Sequence, residues 1–160
     1  MRIISIDPGY ERVGVAIIER NGGREELIFS ECIETSPKTA HPKRVFAVGE
    51  RTASLIEEYK PSVLATESLF FKNNQKTAMK VSEARGVIIY EAQRAGLKIF
   101  EYTPLQIKIA VTGYGRSEKN QVTEMVKRLI KINKSIKHDD EYDAIAVGLT
   151  FFATDYNRTR

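Results

Sequence analysis

The chain opens with a short apolar segment that ends on a carboxylate. The pattern predicts a β-strand over residues 2–6, followed at once by Asp7, Pro8 and Gly9. A desolvated charge at the end of a buried strand is costly unless a partner or a metal ion compensates it. Pro8 and Gly9 turn the chain here, which keeps Asp7 at the edge of the sheet. Taken alone, an aspartate that caps its own turn explains the segment, so a functional interpretation requires other acids that converge on Asp7.

The rest of the chain predicts two more hairpin-linked strands and then alternating helices and strands. The predicted strands cover residues 2–6, 13–17, 26–34, 62–66 and 97–101, and the predicted helices start at Pro42, at Lys76, at Pro104 after the cap residue Thr103, after the cap residue Ser117, and at Asp139. Three antiparallel strands followed by parallel ones give an α/β domain whose five-stranded mixed sheet is flanked by helices.

Size and composition are those of an ordinary globular protein. With 160 residues and 29% charged residues, we expect one domain over residues 1–155 and a short polar tail over 156–160. No apolar run reaches the roughly 20 residues of a membrane span. The opening residues lack the pattern of a secretory leader, so we expect a cytoplasmic location. Cys32 is the single cysteine, which excludes an internal disulfide, and the cysteine count predicts no zinc site.

Positive charge is concentrated in one part of the chain. Residues 104–137 contain eight Lys or Arg and two Glu, a net of +6, so the remainder of this +4 chain carries −2. A basic region in an otherwise acidic chain favours a polyanionic partner held near a cation site. A solvated, lysine-rich surface explains the charge alone equally well.

Further acids occur where they could meet Asp7. The fourth predicted strand also ends on an acid, Glu67, and the last helix starts with Asp139, Asp140 and, one turn later, Asp143. Asp143 shares a helix face with Asp140 at i,i+3 and with Asp139 at i,i+4, so spacing does not choose between the two. Favourable interaction with the helix N-terminus explains Asp139 and Asp140 by itself. Asp143 is harder to explain, since it lies inside an apolar helix.

If the first and fourth strands are parallel neighbours, their terminal acids lie at the same edge of the sheet. Clustered carboxylates raise each other's pKa and need cations between them. Oxygen ligands without a His or Cys set favour Mg²⁺ or Mn²⁺. Two such ions about 3.5–4 Å apart form the arrangement that hydrolyses phosphodiesters. Together with the basic region, the acids therefore indicate a nuclease.

At these residues the chain resembles a known family, the RuvC Holliday-junction resolvases of the RNase H-like nuclease superfamily, over about residues 1–153. The matching strings are Ile6-Asp7-Pro8-Gly9, Glu67-Ser68-Leu69-Phe70, Glu83-Ala84-Arg85-Gly86, Phe100-Glu101-Tyr102, Gly113-Tyr114-Gly115, Glu118-Lys119 with Gln121-Val122, and Asp140 with Asp143-Ala144. Each string is weakly specific alone, but their order along the chain is highly specific.

The resemblance implies an RNase H-like fold and assigns residues to roles. It implies that Asp7, Glu67, Asp140 and Asp143 bind two Mg²⁺ ions, and it selects Asp140 over Asp139. It also implies a homodimer that cuts two strands of like polarity in a four-way DNA junction and leaves 5′-phosphate nicks, together with branch-migration partners of the RuvA and RuvB type.

The resemblance also suggests residues that contact the DNA. Lys108 and Lys119 match family lysines near the scissile phosphate, and Phe70 matches an aromatic residue at the junction centre. We expect Arg116 to contact the DNA backbone, and a solvated surface charge is the alternative explanation for it. Core packing is the alternative explanation for Phe70.

Two other functions fit parts of the pattern. An RNase H-like nuclease acting on RNA or on an RNA–DNA hybrid would share the three-strand start and the acids. A non-catalytic junction-binding protein would carry the same acids as structural groups.

Overall fold

We describe the fold from a computed structural model of the chain, which describes residues 1–69 and 75–156, with no side-chain description for residues 75 and 76. Phe70 and residues 157–160 of the expected tail lie outside the described residues.

The described residues form five strands and five helices in the predicted order. The strands are β1 (Arg2–Asp7), β2 (Arg12–Asn21), β3 (Arg24–Glu34), β4 (Val63–Glu67) and β5 (Lys98–Tyr102). The helices are α1 (His41–Tyr59), α2 (Gln75–Arg94), α3 (Pro104–Thr112), α4 (Lys119–Leu129) and α5 (Asp139–Thr154). Among these helices, none combines the length and the apolar character that crossing a membrane requires.

The strands form a mixed sheet in the order β3-β2-β1-β4-β5. β1 pairs antiparallel with β2, which pairs antiparallel with β3. β4 runs parallel to β1 on its other side and to β5 beyond it. The predicted mixed sheet is therefore confirmed, and so is the parallel pairing of the two strands that end on Asp7 and Glu67.

The two faces of the sheet are covered by different helices. One face packs Ile4, Ile6 and Leu64 with residues of α1 and α2, and the other packs Ile3 and Val63 with residues of α3, α4 and α5. Side chains alternate between the two faces of a strand, so residues an even number of positions apart share a face. Asp7 therefore shares the α5-covered face with Ile3, and Glu67 shares it with Val63. The period-2 pattern therefore directs both strand-terminal acids toward the helix that carries Asp140 and Asp143.

Helix α5 lies very close to β2. Gly14 pairs with Asp7 of β1 on one side and with Cys32 of β3 on the other. A Cβ atom at Gly14 would lie 1.9 Å from the backbone oxygen of Asp140, which is far below any permitted contact. Gly14 thus lets the first turn of α5 rest directly on the sheet beside Asp7.

The predicted start of α3 is confirmed, whereas that of α4 is wrong by one residue. The Thr103 side chain accepts a hydrogen bond from the Gln106 backbone N–H, and Pro104 occupies the first helical position. Helix α4 is capped at Glu118, whose backbone N–H donates to Gln121 Oε1 at 2.8 Å. Ser117 does not cap α4, because its hydroxyl donates to the Tyr114 carbonyl oxygen at 2.7 Å and closes the preceding turn.

We expect Gly14→Ala to destabilise the protein by about 1–3 kcal/mol, because an added methyl group collides with backbone that has no room to yield. Since the collision displaces the first turn of α5, Asp140 should also move away from Asp7. Gly49→Ala is the matched control: its Cβ would make only ordinary contacts of 3.6 Å with Val87, and alanine favours the helix by up to about 1 kcal/mol. Denaturant unfolding of both variants measures the difference, and equal stabilities would contradict this account of α5 packing.

Candidate active site

Three of the four predicted metal ligands line one open cavity of about 340 Å³ at the edge of the sheet. They are Asp7 from β1, Glu67 from β4 and Asp143 from α5. Lys108 of α3 and Lys119 of α4 line the same cavity. Carboxylates and lysines from five different elements therefore open onto one space, which is large enough for a bound ligand.

The sheet register explains why the two strand acids are neighbours. Ile6 and Thr66 are paired across β1 and β4, and each is followed directly by its acid. Asp143 lies one turn inside α5 and lines the same cavity.

Burial and mutual repulsion destabilise the charged forms of these acids. Burial, followed by the charges of Glu67, Asp143 and Asp140, raises the pKa of Asp7 well above its ordinary value. Burial and the charge of Asp143 raise the pKa of Glu67 to about 7. Burial also raises the pKa of Asp143, although its hydrogen bond to Lys119 acts in the opposite direction. Such a cluster favours the binding of cations.

Lys119 provides one cation within the cluster. Its Nζ lies 2.7 Å from an oxygen of Asp139 and 2.7 Å from an oxygen of Asp143. Burial by itself would lower the pKa of Lys119, but the hydrogen bonds to the two aspartates outweigh burial and raise it. Lys119 therefore stays charged at neutral pH and neutralises part of the carboxylate repulsion.

Asp139 contributes to the site by holding Lys119, which the spacing of the acids along the sequence did not reveal. Its hydrogen bond to Lys119 lowers the pKa of Asp139, so this exposed carboxylate stays ionised and holds the ammonium group. Sequence reasoning set Asp139 aside in favour of Asp140. Only the contact with α4, whose position depends on the tertiary structure, shows that Asp139 orients Lys119.

Asp140 is not among the described residues that line the cavity, although the family pattern assigns it to the metal site. Its Oδ2 lies 3.4 Å from Arg12 Nε, is buried, and has no hydrogen-bond partner among the described residues. Asp140 still lies close enough to Asp7 to raise the pKa of Asp7. Asp140 thus stands beside the cavity, with one carboxylate oxygen available to a further ligand.

A buried glutamate with two polar partners fixes the start of α5. Glu141 is 5% exposed, accepts a hydrogen bond from Ser30 Oγ at 2.8 Å and lies 2.6 Å from Lys134 Nζ. Lys134 also donates to the Ser30 carbonyl oxygen at 2.6 Å. These contacts fasten the first turn of α5 to β3 and so position the aspartates on either side of Glu141.

The predicted DNA-binding residues lie in different surroundings. Lys108 is half-buried in the cavity wall. Arg116 is exposed in the turn between α3 and α4, outside the described cavity lining. Phe70 lies outside the described residues, so its predicted role stays a prediction.

A family model described as crossover junction endodeoxyribonuclease RuvC matches residues 3–151. The chain belongs to the RuvC family. A relative of that name from Petrotoga mobilis is 46% identical over 146 residues, which cover 91% of this chain and 90% of the relative.

Solved structures agree with this assignment. A structure titled as Thermus thermophilus RuvC in complex with a Holliday junction substrate has a TM-score of 0.90 at 29% identity, covering 99% of this chain and 96% of that chain. The yeast mitochondrial Holliday junction resolvase has a TM-score of 0.70 at 13% identity, covering 95% and 79% of the two chains, and supports the fold alone. The predicted RNase H-like fold is confirmed.

We expect the metal-free protein to lose stability as the pH rises from about 4.5 to about 7. The folded state keeps the Glu67 proton up to a pKa of about 7, against an ordinary value of 4.5. In this window the folded state therefore binds more protons than the unfolded state, and its stability falls with rising pH. The raised pKa values of Asp7 and Asp143 act in the same direction.

Thermal unfolding in EDTA at several pH values measures this effect. Glu67→Gln should flatten the pH dependence, and Glu50→Gln on the exposed side of α1 should leave it unchanged. A Glu67→Gln profile that parallels the unsubstituted protein would refute the electrostatic account.

Proposed function

We propose that this chain is a metal-dependent, structure-selective endonuclease that resolves four-way DNA junctions by nicking two strands of like polarity symmetrically, in recombination and DNA repair. Membership of the RuvC family, with its crossover junction endodeoxyribonuclease relatives, supports the reaction and the substrate. The single observation that carries the proposal is that three half-buried acids and two lysines line one cavity. This composition suits the hydrolysis of a polyanion.

The site chemistry fits two Mg²⁺ ions, with Mn²⁺ as the alternative. Asp7, Glu67 and Asp143 supply hard oxygen ligands at one edge of the sheet. Asp140 completes the set when its carboxylate turns away from Arg12, and its buried Oδ2 has the spare hydrogen-bonding capacity for this. Bound ions would activate water and stabilise the leaving oxygen of the phosphodiester.

The lysines of the cavity contribute separately. Lys119 donates to Asp139 and Asp143, and cations bound by the acids reduce its attraction to Asp143. Its ammonium group, still held by Asp139, is then available to the scissile phosphate and to the charge that develops there. Lys108, which lines the same cavity, binds the same phosphate group.

The assembly follows from the symmetry of the substrate. A homodimer presents two active sites to one junction, and exposed Phe46, Met79 and Tyr90 on α1 and α2 supply apolar surface for self-association. In this arrangement Arg116 contacts the DNA backbone, and Phe70 stacks on bases at the junction centre. We further propose branch-migration partners of the RuvA and RuvB type, a cytoplasmic location, and one nuclease domain over residues 1–155.

We expect Asp7→Asn to bind a four-way junction normally and to cut it more than about a hundredfold more slowly, because losing even a residue behind a metal ligand costs 10–100-fold in such sites. A synthetic junction with a movable core, labelled on each strand, measures paired nicks with Mg²⁺ and with EDTA. Wild-type-like nicking by Asp7→Asn would overturn the metal scheme. Faster cutting of an RNA–DNA hybrid than of the junction would favour the alternative nuclease function, and tight junction binding without any nicking would favour a binding protein.

We expect Lys119→Met to slow cleavage of the bound junction by about a hundredfold, because a cation next to developing charge contributes on that scale. Lys127→Met is the matched control, since Lys127 lies on the same helix but pairs with exposed Glu124 at 2.7 Å. Single-turnover cleavage over a range of Mg²⁺ concentrations separates a slower reaction from weaker metal binding. Equal rates for the two variants would show that Lys119 has only a structural role.

A further inference from the structure

A second group of metal-binding side chains lies beside the catalytic cavity. Cys32, His138 and Asp140 each present a ligand atom, and these atoms lie within 4.8 Å of one another. Cys32 comes from β3, His138 immediately precedes α5, and Asp140 lies in the first turn of α5. The sheet register explains this meeting, because Cys32 is paired with Gly14, the residue over which the Asp140 backbone lies.

The hydrogen bonds of His138 indicate that its Nδ1 atom, which faces Arg12, is unprotonated and so has the lone pair that a metal ligand needs. Arg12 Nη1 lies 3.4 Å from His138 Nδ1, and a guanidinium group only donates. Nδ1 is therefore the acceptor, and Nε2 carries the proton that is donated to Glu34 Oε1 at 3.0 Å. A histidine whose second nitrogen is oriented by a carboxylate is the usual form of a metal-binding imidazole.

A cation already stands among these groups. The Arg12 guanidinium lies 3.4 Å from Asp140 Oδ2 and 3.4 Å from His138 Nδ1. The Arg12 side chain is 49% exposed, so it can move into solvent without leaving a buried space. Asp140 Oδ2, by contrast, is buried without a hydrogen-bond partner among the described residues. The space between His138 and Asp140 thus favours a positive charge, and the exposed Arg12 side chain that supplies one can be displaced.

We propose that Cys32, His138 and Asp140 form a binding site for Zn²⁺ that lies beside the Mg²⁺ site, shares Asp140 with it and inhibits the nuclease when occupied. A thiolate, an imidazole and a carboxylate are a donor set that zinc prefers and that magnesium does not. A tetrahedral zinc ion holds its ligand atoms about 3.5 Å apart, so the three side chains need to move closer by at most about one ångström. Binding displaces Arg12 and releases the Cys32 thiol proton to solvent, and water completes the coordination.

Inhibition follows because both proposed metal sites use Asp140, and this part of the inference rests on the function proposed above. Cys32 and Asp7 are the two cross-strand partners of Gly14. The Asp140 backbone lies over Gly14, so Asp140 stands between Cys32 and Asp7. A carboxylate bound to zinc on the Cys32 side is withdrawn from magnesium on the Asp7 side. Zinc binding itself does not depend on the nuclease assignment.

The single cysteine and the two histidines of this chain make the test specific. We expect one Zn²⁺ per chain to slow the reaction of the Cys32 thiol with a chromogenic aromatic disulfide, and Co²⁺ to produce the charge-transfer absorption of a cobalt–thiolate bond. Because losing even an outer residue costs 10–100-fold in metal affinity, His138→Asn and Cys32→Ser should each weaken Zn²⁺ binding at least about tenfold. His41→Asn is the matched control and should bind as the unsubstituted protein does.

The same variants separate binding from inhibition. Cys32→Ser should cut junctions normally in Mg²⁺ but need at least about tenfold more Zn²⁺ for inhibition. Unchanged thiol reactivity in Zn²⁺, or equal Zn²⁺ affinity in His138→Asn and His41→Asn, would refute the site, even if Cys32→Ser fails to fold. Lost binding with unchanged inhibition would refute the inhibitory role. Absence of junction cleavage by the unsubstituted protein would refute the proposed function while leaving the zinc measurement intact.

Discussion

Electrostatic repulsion among carboxylates at one edge of the sheet is the constraint around which this structure is organised. Asp7, Glu67 and Asp143 face one cavity, and the raised pKa of each shows that burial and repulsion disfavour their charged forms. A folded protein keeps such a cluster only when bound protons or compensating positive charges reduce the repulsion. Lys119 provides part of the positive charge from α4, and the remaining capacity for cations is what makes the site suitable for metal-assisted hydrolysis.

Backbone geometry positions these acids as much as side-chain contacts do. The parallel pairing of β1 and β4 brings two acids to the same edge, and their alternation directs both toward α5. Gly14 then allows the first turn of α5 to approach β2 more closely than any other residue would permit. The contacts of buried Glu141 with Ser30 and Lys134 fix that turn in place. Several unrelated interactions therefore determine the separation of the acids.

Asp140 belongs to both of the proposed metal sites. Family resemblance assigns it to the catalytic metals, yet its Oδ2 lies near Arg12 on the side of Cys32 and His138. A residue placed between two cation-binding environments couples them, because one carboxylate cannot serve both fully. This competition gives the nuclease a physical route by which a second metal could control its activity.

The sequence by itself determined the secondary-structure order, the acids at the ends of β1 and β4, and the apolar character of α5, because these depend on local propensity and on short-range periodicity. Family motifs added Asp140 and the lysines of the cavity. Only the tertiary structure decided that Asp139 holds Lys119, that Glu118 rather than Ser117 caps α4, and that Cys32 meets His138. The contacts of Asp139 with Lys119 and of Cys32 with His138 join residues far apart in the chain, so they form only once the core has packed. The cap of α4 is local, and the hydrogen bond of the Ser117 hydroxyl to the Tyr114 carbonyl oxygen decides it.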